Sequence, residues 1–197
     1  MLNHEVFDKN KSVKLIDSVN TANYRNAPTT ARMLRYTSNH DINSWEGTPQ
    51  QIFKGDRGAM ATFVVAAYMH ATPMIYNGQE IGYDQRVPFM GPRKPINWTP
   101  NPKLTQEYKR LIRFRNGNNA VRNGVLASYS SDDVCAFTKS DGTGRGLALI
   151  NLRNAAVSYQ VPASVGSTGW HNAFDGQPAT LSSQLTLQPF QYLILKK

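Results

Sequence analysis

The 197-residue sequence contains a single cysteine, Cys135, so an internal disulfide is excluded. Cys135 lies in the apolar run Val134–Phe137, which predicts a buried strand in which the thiol packs as a small apolar side chain. Long apolar runs are also lacking, and the longest, roughly Met60–Ala71, is too short for a membrane-spanning helix. No apolar segment follows Met1, so no signal peptide is predicted here, which says little if the chain is part of a longer protein.

Acidic residues are few: 13 Asp and Glu stand against 22 Lys and Arg, which gives a net charge of +9. Such a balance is typical of proteins that bind nucleic acids. The cations are scattered, however, and no nucleic-acid motif occurs, so the charge can equally belong to one part of a longer, less basic protein. His4 and His171 lack partners at metal-binding spacing, and no phosphate-binding loop or nucleotide fingerprint is present.

The sequence pattern changes near residue 117. Before it, helical and strand patterns alternate, as in folds whose parallel strands are joined by helices. After it, short strands and turns recur about every ten residues, which predicts an antiparallel sandwich of Greek-key topology. We therefore predict two domains, residues 1–116 and residues 117–197.

The elements are predicted from apolar periodicity and turn residues. Helices are predicted over roughly 8–24, 57–70 and 104–115, with a further helix starting at Thr48-Pro49. His70 is predicted to be a cation at a helix end or a packed residue. The predicted strands are Arg32–Thr37, Met74–Tyr76, Val134–Thr138, Leu147–Leu152, Ser158–Val161, Trp170–Phe174, Leu185–Leu187 and Tyr192–Leu195.

Polar side chains follow the first predicted strand directly: Asn39, His40 and Asp41. In a parallel β/α barrel, functional side chains lie at the carboxyl ends of the strands. A carboxylate there can stabilise positive charge or bind sugar hydroxyls, and a neutral imidazole can donate a hydrogen bond to another hydroxyl. The same residue types also cap turns, so the pattern alone leaves both interpretations open.

Four segments, taken in order, resemble the α-amylase family of glycoside hydrolases. Tyr36–Asp41 resembles the end of the family's seventh barrel strand, where an aromatic residue leads into Asn-His-Asp. Thr72–Gly82 resembles the eighth strand and its exit, with Ala71 where glycine is common. Tyr108–Gly124 is similar to the eighth helix and the passage to the C-terminal β domain, and Leu185–Leu195 is similar to the end of that domain.

The resemblance implies a fold of class α/β plus all-β: the last two strands and helices of a (β/α)8 barrel, followed by the β-sandwich. It also implies a retaining mechanism with a nucleophile, a general acid and a third carboxylate that supports the oxocarbenium-like transition state. Asp41 matches that third carboxylate, and His40 matches a hydroxyl donor to the sugar. Trp45 is a candidate for stacking on a sugar ring, with packing an equal alternative, whereas Trp98 is predicted to pack.

The sequence settings that the family uses for its nucleophile and general acid do not occur in this chain, and Glu46 lies in a turn. We therefore expect the chain to be a C-terminal fragment that does not hydrolyse glycosidic bonds alone. Its expected partner is an α-glucan or maltooligosaccharide bound by the parent enzyme. No nucleic acid and no membrane span are expected. A non-catalytic polysaccharide-binding module is the alternative function, and a basic nucleic-acid-binding protein is less favoured.

Three further expectations follow from the resemblance and the truncation. This chain is expected to hold no cofactor, while calcium is possible in the full-length parent. Unpaired strand edges in residues 1–116 predict either self-association through the truncated barrel or a barrel segment that is partly disordered. A secreted or periplasmic location is slightly favoured over a cytoplasmic one.

Overall fold

The computed structural model of the protein describes residues 5–7, 10–92, 95–99, 101–166 and 169–197. The elements described in the first part of the chain are α1 (Lys14–Tyr24), β1 (Met33–Arg35), α2 (His40–Trp45), α3 (Pro49–Ile52), α4 (Asp56–Tyr68), β2 (Ala71–Pro73), a 3-10 turn (Gln79–Ile81), α5 (Pro102–Gly117) and α6 (Asn119–Asn123). Those of the second part are β3 (Val125–Ser128), β4 (Val134–Ser140), β5 (Arg145–Asn151), β6 (Val157–Gln160), β7 (Trp170–Asn172), β8 (Pro178–Ala179), β9 (Gln184–Leu187) and β10 (Tyr192–Lys196).

The central element of the first part is α4, which is buried along nearly its whole length because its residues are almost all apolar. In its first turn, Gly58 passes so close to the preceding turn that a Cβ there would lie 1.7 Å from the Phe53 carbonyl oxygen. Just upstream, α3 begins with a capping box: the Thr48 side chain accepts from Gln51 N, and the Gln51 side chain accepts from Thr48 N. The helix start predicted at Thr48-Pro49 is confirmed.

Strand β1 precedes α4 in the sequence and β2 follows it. The two strands pair in parallel, with Met33 opposite Ala71 and Arg35 opposite Pro73. The strand predicted at Met74–Tyr76 was therefore placed three residues too late. Only Met74 N continues the pairing, with a hydrogen bond to Arg35 O (2.8 Å). The apolar Met-Ile-Tyr run resembles a strand, but β1 ends at Arg35 and leaves the next residues without a partner strand.

The second part is antiparallel. Six strands form one sheet in the order β3-β4-β5-β10-β7-β8, and β6 pairs with β9 in a separate two-stranded sheet. The C-terminal strand β10 lies between β5 and β7, opposite Ile150 through Gly146 of β5. All six strands predicted in this part are present, with bounds shifted by up to two residues. The edge strand β3 and the two-residue β8 were not predicted.

Strands β4 and β5 are buried on both faces. On one face, Val134, Ala136, Leu147 and Leu149 pack with Tyr159 of β6 and other residues under the two-stranded sheet. On the opposite face, alternate residues of the same strands join the core that contains α4 and α5; they are Cys135, Phe137, Ala148 and Ile150. The prediction that Cys135 is a buried strand residue is confirmed, because it is fully buried in β4.

The hydrophobic core therefore continues across residue 117, where the secondary structure changes type. Arg153, after β5, also donates to Val6 O (2.8 Å) and Lys11 O (2.7 Å) at the other end of the chain. Among the described helices, none is both long and apolar enough to cross a membrane.

Candidate functional site

The candidate site lies at the carboxyl end of β1, where the chain turns into the short helix α2. Asn39 is extended (φ −148°, ψ −175°), and its side-chain oxygen accepts a hydrogen bond from Ile42 N (2.8 Å). Asn39 thus caps α2 and places the next two residues, His40 and Asp41, in its first turn. Of the two interpretations left open by the sequence, capping is observed for Asn39, while His40 and Asp41 face outward.

His40 and Asp41 are adjacent and accessible. Their side chains are 61% and 59% exposed, and His40 Nε2 lies 3.5 Å from Asp41 Oδ1. Here the Asp41 carboxylate can accept hydrogen bonds from one sugar hydroxyl, while the His40 imidazole N–H can donate to another. The structure thus brings together two of the three predicted site residues.

Trp45 is the third predicted residue and lies at the end of the same helix. It is four residues after Asp41, a spacing that places the two side chains on one side of α2. Trp45 is 70% exposed, so its ring is available for contact. Trp98 is 53% exposed, which contradicts the prediction that it packs.

The loop after β2 is attached to α2 by several hydrogen bonds. Val87 N donates to Asn43 Oδ1 (2.7 Å), and Ser44 Oγ donates to Val87 O (2.7 Å). Arg86 donates to the carbonyl oxygens of Trp45 (3.3 Å) and Glu46 (2.5 Å). These bonds hold the loop along the helix that carries the candidate residues.

Phe89 of this loop contacts the site directly. Its ring stacks on the ring of His40, with centroids 5.7 Å apart and planes inclined by 24°. Phe89 is 45% exposed, so it adds an apolar surface next to the imidazole. Sequence reasoning missed Phe89, because an aromatic residue in a loop rich in proline and glycine carries no signal of a contact 49 positions away.

A buried polar network lies beneath the site and joins the ends of the two strands. Gln79 Nε2 donates to Thr37 Oγ1 (2.8 Å) and to Tyr108 OH (3.0 Å), which uses both of its hydrogens. Gln79 Oε1 accepts from Tyr76 N (3.2 Å). Thr37, Gln79 and Tyr108 are all buried, and burial raises the pKa of the Tyr108 hydroxyl, which therefore stays protonated.

Two further acidic residues lie on α5 and at the end of α2. Glu107 on α5 is paired with Arg110 (2.5 Å) and accepts a hydrogen bond from Tyr192 OH. Glu46 is the C-cap residue of α2. In the parts of the chain that the structure describes, no three His, Cys, Asp or Glu side chains form a group able to hold a metal ion.

No protein-family model and no curated protein matches the sequence. Solved structures do match the fold. The maltogenic α-amylase AmyB from Thermotoga neapolitana is 15% identical with a TM-score of 0.75, over 94% of this chain and 46% of that one. The cyclic α-maltosyl-(1→6)-maltose hydrolase from Arthrobacter globiformis is 17% identical with a TM-score of 0.74, over 96% and 41%. AmyP, solved in complex with maltose, is 17% identical with a TM-score of 0.69, over 95% and 45%.

The chain has a mixed α/β fold that matches the C-terminal part, about 45%, of α-amylase-type glycoside hydrolases. The resemblance inferred from the four sequence segments is thus confirmed at the level of the fold. The chain spans less than half the length of each of these structures.

Proposed function

We propose that this chain is the C-terminal part of an α-amylase-type glycoside hydrolase that acts on α-glucans. In this proposal β1, α4, β2 and α5 are the last two strand–helix units of a (β/α)8 barrel, and residues 117–197 form its Greek-key β-sandwich. The observation that carries the proposal is the position of Asp41. It is an accessible carboxylate beside His40 at the carboxyl end of a parallel strand, within a fold shared with these enzymes.

The proposed role of Asp41 is electrostatic. As glycosidic bond cleavage places positive charge on the sugar, a fixed carboxylate that also binds ring hydroxyls stabilises the transition state more than the ground state. His40 donates a hydrogen bond to a further hydroxyl, and Trp45 offers an apolar face for a sugar ring. AmyP binds maltose, and we propose that this chain contributes to binding a maltooligosaccharide of the same kind.

The nucleophile and the general acid are proposed to come from another part of the protein. The edges of β1 and β2 support this, because within the described residues their sheet has only two strands. Leu34 of β1 is 57% exposed, and beside it lies an open groove of about 370 Å³. Much of the groove lining is apolar and comes from α1, β1, α2 and α4: Leu15, Ile16, Val19, Leu34, Ile42 and Val65.

An activity assay on a maltooligosaccharide tests this function. The 197-residue chain should be inactive, and a chain that also carries the remaining barrel units of its parent should be active. In that longer form, Asp41→Asn should lower kcat on the order of 100-fold or more, as loss of an electrostatic stabiliser of the transition state does. Asp175→Asn, at the turn between β7 and β8, is the matched control and should leave kcat unchanged.

Two results would overturn the proposal. Hydrolysis by the 197-residue chain itself would show that the chain holds a complete site. Full activity of the Asp41→Asn variant in the longer form would remove Asp41 from the reaction.

A non-catalytic polysaccharide-binding module is the second candidate, favoured by the exposure of Trp45 and Trp98. Calorimetry of the 197-residue chain with a maltooligosaccharide separates the two candidates. Tight binding that is lost in Trp45→Ala or Trp98→Ala and retained in Asp41→Asn would favour the module.

A further inference from the structure

Three helices end in one region of the molecule: α4 at Tyr68, α5 at Gly117 and α6 at Asn123. Buried cations occupy this region. Arg115 donates from Nε to Ala67 O (2.7 Å) and from Nη2 to Ala71 O (2.6 Å). The buried Lys139 ammonium group donates to Val121 O and to Arg122 O (3.2 Å). Ala67, Val121 and Arg122 lie in the last turns of helices, where carbonyl oxygens carry partial negative charge and accept hydrogen bonds from basic groups.

Arg32 lies in the same region, just before β1. Unlike Arg115 and Lys139, it has hydrogen-bond donors that lack a good acceptor. Its Nη1 donates to Ala31 O (2.7 Å) and Thr29 O (3.0 Å). Its Nη2 reaches Asn123 O only at 3.4 Å, and its Nε is buried with no acceptor among the described residues. The side of the guanidinium that carries Nε and Nη2 therefore lacks a strong acceptor. That side is one of those with which arginine binds carboxylate or phosphate through two parallel hydrogen bonds.

His70, next to Arg32, has a second unsatisfied donor. Its Nε2 lies 3.4 Å from Arg32 Nη1. Since the guanidinium can only donate, Nε2 is the acceptor and the ring proton is on Nδ1. Nδ1 is buried and has no partner among the described residues. The ring is held edge-on against Tyr24, with centroids 4.5 Å apart.

The charges that act on His70 all have one sign. Burial, together with the nearby cations Arg32, Lys139 and Arg35, lowers the pKa of His70 to about 4. The imidazole is therefore neutral near pH 7, which contradicts the expectation of a helix-end cation and agrees with the alternative of a packed residue. The field of these cations, which disfavours a proton on His70, attracts an anion.

We propose that Arg32 and His70 form a binding site for an oxyanion of the phosphate or carboxylate type. Nε and Nη2 of Arg32 bind two of its oxygens, and the Nδ1–H of His70 is a third donor. The site is separate from the strand-end residues His40 and Asp41, and it does not depend on the function proposed for them. Nε and Nδ1 are covered by protein, so binding requires a shift of the turn before β1. Residues 28–30 of that turn are exposed, and the turn holds Arg32 through the carbonyl groups of Thr29 and Ala31.

Nuclear magnetic resonance of the complete, ¹⁵N-labelled chain at pH 7 tests the proposal. The Arg32 Nε–H and His70 ring resonances are followed during titration with sodium phosphate, with sodium acetate, and with sodium chloride at matched ionic strength. Saturable shifts are expected with phosphate or acetate and not with chloride. The oxyanion that binds with the lower dissociation constant shows whether the site prefers a phosphate group or a carboxylate.

Substitutions make the test specific. Arg32→Lys keeps the charge but removes the two parallel N–H donors of the guanidinium. It should weaken oxyanion binding about tenfold or more. His70→Gln should weaken it several-fold, and it serves as the second variant if Arg32→Lys does not fold. Arg113→Lys, on the exposed face of α5, is the matched control and should bind as the parent chain does.

Three results would overturn the proposal: the absence of saturable shifts with both oxyanions, identical shifts with chloride, or unchanged affinity in both Arg32→Lys and His70→Gln. Each of these would show that the unsatisfied donors of Arg32 and His70 do not bind an oxyanion.

Discussion

Gln79 and Thr37 join the ends of two strands through one buried hydrogen bond of 2.8 Å between side chains that are 42 positions apart. Thr37 precedes the cap of α2 by two residues, so this bond helps to fix where Asp41 and His40 lie. The same amide group donates to Tyr108 OH, which connects the strand ends to α5.

Gln79→Leu should lower the free energy of unfolding by about 1–3 kcal/mol, because it leaves buried hydroxyl groups of Thr37 and Tyr108 without their donor. Urea unfolding followed by circular dichroism measures the change. Gln106→Leu, at an exposed position of α5, is the control and should change stability by less than about 0.5 kcal/mol. Equal stability of the two variants would contradict a structural role for the network.

Lys139 should make stability depend on pH above neutrality. Burial, and then the nearby cations Arg115 and Arg32, lower the pKa of Lys139 from 10.5 to about 7. Between these values the unfolded chain binds the proton and the folded chain does not, so the free energy of unfolding rises as pH increases from about 7 to 10.5. Urea midpoints measured across this range should rise in the parent chain and rise less in Lys139→Met. Lys109→Met, at an exposed position of α5, should keep the slope of the parent.

Gly58 should tolerate no side chain. A Cβ at this position would lie 1.7 Å from Phe53 O, so Gly58→Ala forces the backbone of α3 away from α4. We expect a loss of about 3 kcal/mol or more in the free energy of unfolding, as for severe overpacking of a core. Gly117→Ala, at the end of α5, meets no atom within 4 Å and should stabilise the chain by up to about 1 kcal/mol. Thermal unfolding of both variants checks the contrast.

Leu34 should promote self-association of the 197-residue chain, because it is exposed beside an apolar groove and on a strand whose outer edge pairs with no other described strand. Leu34→Lys should shift sedimentation profiles towards the monomer. Val125→Lys introduces the same charge at an exposed position of the edge strand β3 and should leave the profile unchanged. A parent chain that sediments as a monomer at all concentrations would refute the expectation.

Local patterns were sufficient to predict the strands that are buried on both faces. Val134–Thr138 and Leu147–Leu152 are mostly apolar runs between turn residues, and they correspond to β4 and β5. Strand β8 has only two residues and begins with proline, so it leaves no periodic pattern. The position of β2 depends on which residues β1 presents for pairing, and this is a property of the tertiary structure.

Some residues of the candidate site were likewise predictable from the sequence, and others were not. Asn39, His40 and Asp41 were identifiable because they lie in the segment after a predicted strand, and residues after strand ends are functional candidates in parallel β/α folds. Phe89 and the bond between Gln79 and Thr37 were not, because they depend on how distant segments pack. The unsatisfied side of Arg32 is likewise visible only once its neighbours are in place.

Because β4 and β5 are buried on both faces, the two parts of the chain are expected to depend on each other for stability. Residues 117–197 expressed alone would expose Cys135, Phe137 and Ile150 to water, and residues 1–116 alone would uncover the surface of α4 that packs on them. Both products would be prone to aggregate, and heating the intact chain should melt its two halves in a single cooperative step. A protease that nicks the chain near residue 117 would therefore yield two fragments that stay together until a denaturant is added.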